Sequence, residues 1–175
     1  MNAEYSDVEN QLLVMNAQDG DISAMEKLVV HWQKRLWRHA YRMTNNIQAA
    51  WDVTQQSWIG IIKGLNRLED PANFKAWAYR ITTNKAADWC RKNEQIFYAD
   101  NELLKNVECK EKKETSIEEL LEKLDDKKKM VLILYYYEQL TVSEIGAVLN
   151  IPTGTVKSRL ATARNELKKL LEKYE

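Results

Sequence analysis

Apolar residues recur at steps of three and four along most of this chain. Over residues 21–43 they are Met25, Leu28, Val29, Trp32, Leu36, Ala40 and Met43. That spacing predicts a helix with one buried face. Asp21 or Ser23 can cap its start. Asn45-Asn46 interrupts the pattern, and a second helix follows, with Ile47, Trp51, Thr54, Trp58, Ile61, Ile62 and Leu65 expected on one inward stripe. Glu69-Asp70-Pro71 is expected to form a loop, because proline disfavours helix in the residue before it. A third helix starts near Asn73 and runs to about Lys92, with Phe74, Trp77, Ala78 and Ile81 facing inward. These three helices make a first domain over residues 21–92, preceded by an acidic segment over residues 1–20.

Residues 93–115 are rich in charge and poor in apolar side chains, which reads as a flexible, solvated linker. Order resumes at Ser116-Ile117-Glu118-Glu119, which has the spacing of a capping box. A short helix bearing Leu120, Leu121 and Leu124 follows. Asp125-Asp126 punctuates it, and Met130, Val131, Ile133, Leu134 and Tyr137 continue on another helix. Thr141-Val142-Ser143-Glu144 is a second capping box. It opens a helix that ends near Leu149-Asn150. Ile151-Pro152-Thr153-Gly154 makes a turn, and a last helix runs from about Thr155 to Lys173. The second domain therefore spans residues 116–175.

Composition supports an all-α chain of two small helical domains. Only 5 of 175 residues are glycine and 2 are proline, so long stretches lack a breaker. Six Trp and eight Tyr supply large side chains to two small cores. No apolar stretch is long enough to span a membrane, and the start of the chain lacks a signal-peptide core. Cys90 and Cys109 lie far from any zinc-type or disulfide-type spacing, so two free thiols in a reducing cytoplasm are expected. His31 and His39 read as surface or partly buried packing residues. No catalytic group, metal site or cofactor is expected.

The formal net charge of zero is an average over unlike blocks. Residues 1–22 carry five acids and no Lys or Arg; residues 23–93 carry twelve basic and five acidic side chains. Residues 94–140 carry eight basic and twelve acidic, and residues 141–175 six and four. Two basic blocks separated by an acidic one point to two anion-binding modules on a linker.

Residues 141–167 have the layout of a helix-turn-helix: a short capped helix, a tight turn and a longer helix. Gly146 is small where a crossing helix needs close approach. Asn150 can take the left-handed conformation that ends a helix, and Pro152 stiffens the start of the next. Ile145, Leu149, Val156 and Leu160 can weld the pair together. The polar face left on the second helix is Thr155, Lys157, Ser158, Arg159, Thr162 and Arg164. Cations can bond guanine edges or phosphates, and hydroxyls can serve either role.

The segment LTVSEIGAVLNIPTGTVKSRLATARNEL resembles region 4.2 of sigma factors, which binds the −35 promoter element. GDISAMEKLVVHW resembles the opening of sigma region 2. WDVTQQSW resembles its polymerase-binding helix, and FKAWAYRITTNKAADWCRK its −10 recognition segment. No counterpart of regions 1 and 3 is present, which marks the compact extracytoplasmic-function group of the sigma-70 family. The resemblance implies a region 2 bundle and a region 4 helix-turn-helix, with core RNA polymerase and promoter DNA as partners and an anti-sigma factor as a further one. It implies a cytoplasmic protein that does no chemistry of its own.

The resemblance also implies residue roles. Asp52, Gln55 and Gln56 would meet the clamp helices of the polymerase largest subunit. The family usually has acids where Trp51 and Gln56 stand, so this helix is expected to rely more on hydrogen bonds from its glutamines. Trp51, on the inward stripe, reads as repacking. The loop over residues 66–73 would face the single-stranded −10 element, where a base is flipped into a pocket. Arg67, Asn73, Phe74, Arg80, Asn84, Lys85, Arg91 and Lys92 form the expected −10 set. Asn84 would recognise the base, Phe74 would offer a stacking surface, and Trp77 would pack the core. Thr153, Thr155, Lys157, Ser158, Arg159, Ala161, Thr162 and Arg164 form the expected −35 set. Within it Arg159 and Arg164 grip phosphates, Arg159 being also able to read a base, and Ala161 contacts a thymine methyl. The competing reading is a helix-turn-helix regulator that binds duplex DNA without polymerase; a helical adaptor is a third.

Overall fold

The computed structural model of this chain describes residues 7–100 and 117–173. Every regular element among them is helical, and they fall into two compact units, Met1–Gln95 and Ile96–Glu175. In the first unit α1 (Asp7–Gln18), α2 (Ile22–Thr44) and α3 (Ile47–Gly64) lead into two 3-10 turns, Leu65–Arg67 and Pro71–Asn73. Helix α4 (Phe74–Asp100) follows. In the second, α5 (Ile117–Glu122) and α6 (Asp126–Leu132) precede a π-helical turn (Ile133–Tyr137), α7 (Val142–Leu149) and α8 (Thr153–Leu171).

Local chemistry sets the helix ends. Asp21 caps α2, its carboxylate accepting from the N–H groups of Ser23 at 2.8 Å and Ala24 at 3.2 Å. Asn45 closes α2 in the left-handed conformation (φ 47°), its N–H donating to the Tyr41 carbonyl. Asn46 then caps α3 by accepting from the Ala49 N–H at 2.9 Å. The Asn-Asn pair thus stops one helix and starts the next. The inward stripe of α2 lies where its periodicity put it, through Leu28, Trp32, Leu36 and Ala40, all buried. His39 joins this stripe and is fully buried, more deeply than its sequence reading allowed. Its Nε2 lies 2.8 Å from Thr83 Oγ1, and its ring meets Tyr79 edge-on.

On α3 the expected stripe holds at Thr54, Trp58, Ile61 and Leu65 but is shifted at its edge toward small residues. Ala49, Ala50, Val53, Thr54, Ser57, Trp58 and Ile61 are buried, whereas Ile47, Trp51 and Ile62 are 63%, 41% and 52% exposed. Small side chains let α3 approach α2 closely, with Ala50 and Val53 packed in one cluster with Ala40 and Ala86. The hydroxyls of Thr54 and Ser57 donate back to the carbonyls of Ala50 and Val53, at 2.6 and 2.7 Å. Satisfied inside their own helix, they enter the core at little cost.

Two further elements differ from expectation. The acidic start, for which the sequence suggested no element, contains α1, which buries Val14 and Ala17. Trp32 pins it to α2, donating its indole N–H to Asn10 Oδ1 at 2.7 Å. Helix α4 runs past Lys92 to Asp100 because no glycine or proline interrupts residues 93–100. The rest of the expected linker, with Cys109 and the Ser116 capping box, lies outside the described residues.

The core of the second unit is built from Leu120, Leu124, Val131, Leu134, Ile145, Val156 and Leu160. Asp125 caps α6 by accepting from the Lys127 N–H at 2.9 Å. An ion pair of 2.7 Å between Lys128 and Glu166 ties α6 to α8. Among the described residues no helix is long and apolar enough to cross a membrane, and no cluster of His, Cys, Asp and Glu could hold a metal ion.

Candidate nucleic-acid interface

The second unit presents a helix-turn-helix in which each end is fixed by its own side chains. Thr141 N–H donates to Glu144 Oε2 at 2.7 Å, while Glu144 N–H donates to Thr141 Oγ1 at 3.2 Å, completing the capping box. Asn150 ends α7 in the left-handed conformation (φ 53°), its N–H donating to the Gly146 carbonyl. The close neighbours of Gly146 are the turn and the first residue of α8, Thr153. A Cβ there would lie 2.9 Å from the Ile151 carbonyl oxygen. Helix α8 begins at Thr153, before the Thr155 start expected, because Pro152 stands at its cap with a preset backbone angle.

Helix α8 buries Val156, Leu160 and Ala163 and turns Lys157, Ser158, Ala161 and Thr162 outward. Thr153 is exposed at its first turn, and Thr155 and Arg159 are half-buried. Ser158 and Thr162 donate their hydroxyl protons to the carbonyls of Thr155 and Ser158, each at 3.0 Å. Their lone pairs are left to accept from base amino groups. Arg164 is exposed on the Lys157 and Ala161 side of the helix, but its guanidinium is engaged within the unit. Its guanidinium lies over Tyr135 at 5.1 Å and Tyr136 at 5.5 Å, so it bridges α8 to the π-helical turn.

In the first unit the expected −10 set divides. Arg80, Asn84 and Arg91 are exposed and, at steps of four and seven, share one face of α4. Arg91 is already paired with Asp88. Lys85 and Lys92 lie on another face. They line a groove of about 350 Å³ together with Asp52, Gln55 and Gln56 of α3, and with Asp88 and Trp89 of α4. The expected polymerase residues thus meet two of the expected DNA residues. Asp88 adds a second carboxylate to the groove lining, one already paired with Arg91.

Phe74 must leave the base-stacking set. It is fully buried, its ring edge-on to Trp32 at 5.5 Å. Trp77 packs as expected, against Gly64, where a Cβ would lie 3.0 Å from the indole. Trp51 is not an inward repacking residue. It is half-exposed and leans on Trp37 at 5.6 Å, while Trp37 stacks flat on Tyr41.

Arg67 and Asn73 are exposed on the segment between α3 and α4. Asp70 braces its second turn, accepting from Ala72 N–H at 2.9 Å and Asn73 Nδ2 at 3.3 Å. The first turn is held from α1: Gln18 Nε2 donates to the carbonyls of Leu65 at 2.9 Å and Leu68 at 2.8 Å. Sequence reasoning missed Gln18. The available signal was the Val14/Ala17 spacing just before Gly20, a weak apolar stripe in a polar segment.

These features define a helical protein with one helix-turn-helix module and one module that exposes cations and amides on α4 and on a braced loop. A family model described as Sigma-70 region 2 matches residues 28–96, and one described as Sigma-70, region 4 matches residues 120–169. The chain is 29% identical to the ECF RNA polymerase sigma factor SigW of Bacillus subtilis, over 90% of this chain and 94% of that one. It is also 29% identical to the ECF sigma factor SigE of Mycolicibacterium smegmatis, over 98% of this chain and 71% of that protein. CnrH, solved with the cytosolic domain of CnrY, has the same fold: TM-score 0.70, 24% identity, 93% of this chain and 97% of that one. RpoE of Bartonella quintana, solved with the anti-sigma factor NepR, gives TM-score 0.71 at 19% identity, over 86% and 98% of the two chains. The two matches together span most of the chain, which belongs to the sigma-70 family; the SigW and SigE relatives are of its extracytoplasmic-function group. It is a sigma factor that binds core RNA polymerase and directs promoter-specific initiation. Its relatives are sigma factors rather than enzymes.

Proposed function

We propose that α8 reads the −35 duplex through Lys157, Ser158, Ala161 and Thr162. Thr153, Thr155 and Arg159 contact the backbone near the helix start. One observation carries this reading: an outward polar row on a helix whose start is locked by Gly146, Asn150 and Pro152. Lys157 can bond guanine, and the hydroxyls accept from adenine or cytosine amino groups. Phosphates near Thr153 meet the positive end of the helix.

The first unit captures the melted −10 strand. Arg67 and Asn73 flank the entry of a flipped base, Asn84 bonds its edge, and Arg80 and Arg91 hold phosphates. Flipping costs a few kcal/mol, which these contacts offset. Asp52, Gln55 and Gln56 face the polymerase. Lys85 and Lys92, in the same groove, are shared between polymerase and DNA rather than committed to DNA alone. Each module binds weakly by itself, and holding both on polymerase raises their effective concentration on one promoter. The protein acts in the cytoplasm and makes and breaks no covalent bond. An anti-sigma factor restrains it, a reading motivated by the RpoE–NepR complex of a protein with this fold.

In vitro transcription with purified core polymerase and a promoter library tests the assignment. Specific start sites are expected, with −35 choice altered by Lys157→Ala plus Ser158→Ala and −10 choice by Asn84→Ala. Unchanged promoter choice in both variants would overturn the residue roles. Tight duplex binding in the absence of core enzyme would favour a conventional regulator.

A further inference from the structure

The −10 loop is short, exposed and bears the two side chains that flank the expected pocket. A loop that must hold a base in place needs a fixed backbone, since a mobile one spends binding energy on its own ordering. The local braces are few. Leu68 N–H donates to the Leu65 carbonyl at 3.0 Å, closing one turn, and Asp70 organises the other. Leu65 itself is buried and anchors the start. Between Leu65 and Asp70 the backbone carries Arg67 into solvent with no other side-chain support among the hydrogen bonds described.

Gln18 fills that gap from a distant part of the chain. One amide nitrogen donates to two carbonyls, those of Leu65 and Leu68, on either side of Asn66-Arg67. An amide has two N–H donors, so both bonds are made at once. Gln18 is the last residue of α1, and its own position is fixed at both ends of that helix. Asn10 holds the Trp32 indole near the start. At the end Gly20, at φ 92°, turns the chain so that Asp21 can cap α2. The loop is therefore bolted to the α1–α2 corner, and α1 packs against both 3-10 turns.

We infer that Gln18 is a positioning residue for capture of the −10 base: its amide clamps the first turn of the loop so that Arg67 is presented in a ready geometry beside Asn73, which Asp70 holds. Gln18 touches no DNA. This inference rests on the proposed role of the loop. Helix α1, outside the region 2 match, thereby becomes part of the promoter-opening machinery.

The test uses the full chain on core polymerase. Gln18→Met keeps the length and apolar stem but removes both donors, and Gln18→Glu places an acceptor against two carbonyls. Binding to a single-stranded −10 oligonucleotide and the rate of promoter opening are measured. Each is repeated with an abasic site in place of the captured base. Wild type is expected to lose about tenfold in affinity with the abasic strand. Gln18→Met is expected to bind the intact strand about fivefold to tenfold less tightly and to lose little more with the abasic one. Core binding and −35 duplex binding stay within about twofold, and the thermal midpoint reports any general loss of folding. Gln18→Glu is expected to be at least as impaired. Full discrimination between intact and abasic strands in both variants overturns the inference, as does a defect shared equally by −35 binding. Arg67→Ala plus Asn73→Ala separates the two layers. If that double variant discriminates normally, the loop is not the capture site and the underlying reading fails. If it is impaired while Gln18→Met is not, only the role of Gln18 fails.

Discussion

In the second unit the proposed nucleic-acid face is one helix, and everything that orients it lies within a few residues of sequence. Thr141, Glu144, Gly146, Asn150 and Pro152 set the angle of α8. In the first unit the corresponding face is assembled from the α1 corner, a loop, α3 and α4. A face made locally stands or falls with its turn. A face made by tertiary packing is distributed, so single changes degrade it by smaller steps.

The largest expected effect tests the local half of that contrast. Gly146→Ala puts a methyl group 2.9 Å from the Ile151 carbonyl oxygen, a backbone atom that moves only if the turn opens. Destabilisation of about 2 kcal/mol or more is expected, the range of strained and overpacked sites. Denaturant unfolding should show the second unit melting early while the first is unchanged, with −35 binding lost. Next in size is Lys157→Ala plus Ser158→Ala. Each base contact is worth roughly 1–3 kcal/mol of discrimination, so −35 selectivity should fall by about tenfold to a hundredfold. Helix content by circular dichroism should not change. In the first unit Asn84→Ala should cost less, about fivefold in −10 selectivity, because neighbouring groups share the task. A hundredfold loss there would break the contrast.

The same difference decides what could be read from sequence. Caps, turns and the α8 face are encoded by residues a few positions apart, and the structure has them close to where those residues implied. The α2 stripe was legible for the same reason. The α3 stripe was legible only in part: Thr54, Trp58, Ile61 and Leu65 lie inside as expected, but Ala50, Val53 and Ser57 complete it by being small, and Trp51 and Ile62 are large yet outside. A hydrophobicity pattern favours the big residues; helix–helix packing favours the small ones, which allow close approach. Phe74 lies inward as its helical spacing implied, but the stacking role the resemblance offered it fails, because it packs on Trp32, far away in sequence. Gln18 and the Asp52–Asp88 groove were invisible for the same cause: their partners lie on other elements. Family resemblance carried the functional roles, but not which side chains remain free to perform them.

A smaller effect probes the departures on α3. Trp51→Glu and Gln56→Glu restore the acids usual in the family beside Asp52. Exposed charges act through a screened field. Core-polymerase affinity should therefore rise by about twofold to fivefold at low ionic strength and converge with wild type above roughly 0.5 M salt. Fluorescence anisotropy across a salt series would read it. An affinity drop at every salt concentration would instead make the exposed Trp51 ring a direct contact, since aromatic residues dominate binding hot spots.

The smallest expected effect concerns Arg164, where the sequence pattern and the packing give different answers. Pattern places it on the polar side of α8 as a phosphate grip; geometry places its guanidinium over Tyr135 and Tyr136. It also lies two turns beyond Lys157, roughly 10 Å along the helix. A cation over an exposed ring contributes about 0.5–1 kcal/mol. Arg164→Ala should lower the stability of the second unit by about that much, with −35 affinity within about twofold of wild type. Salt dependence separates the two roles better than affinity does. Losing a phosphate contact reduces the slope of log affinity against log salt by about one, whereas losing a bridge to tyrosine leaves it unchanged. Arg159→Ala, nearer the helix start, should show the reduced slope. If Arg164→Ala shows it too, the rear of α8 also touches the backbone, and the proposed DNA face of the second unit extends past Thr162.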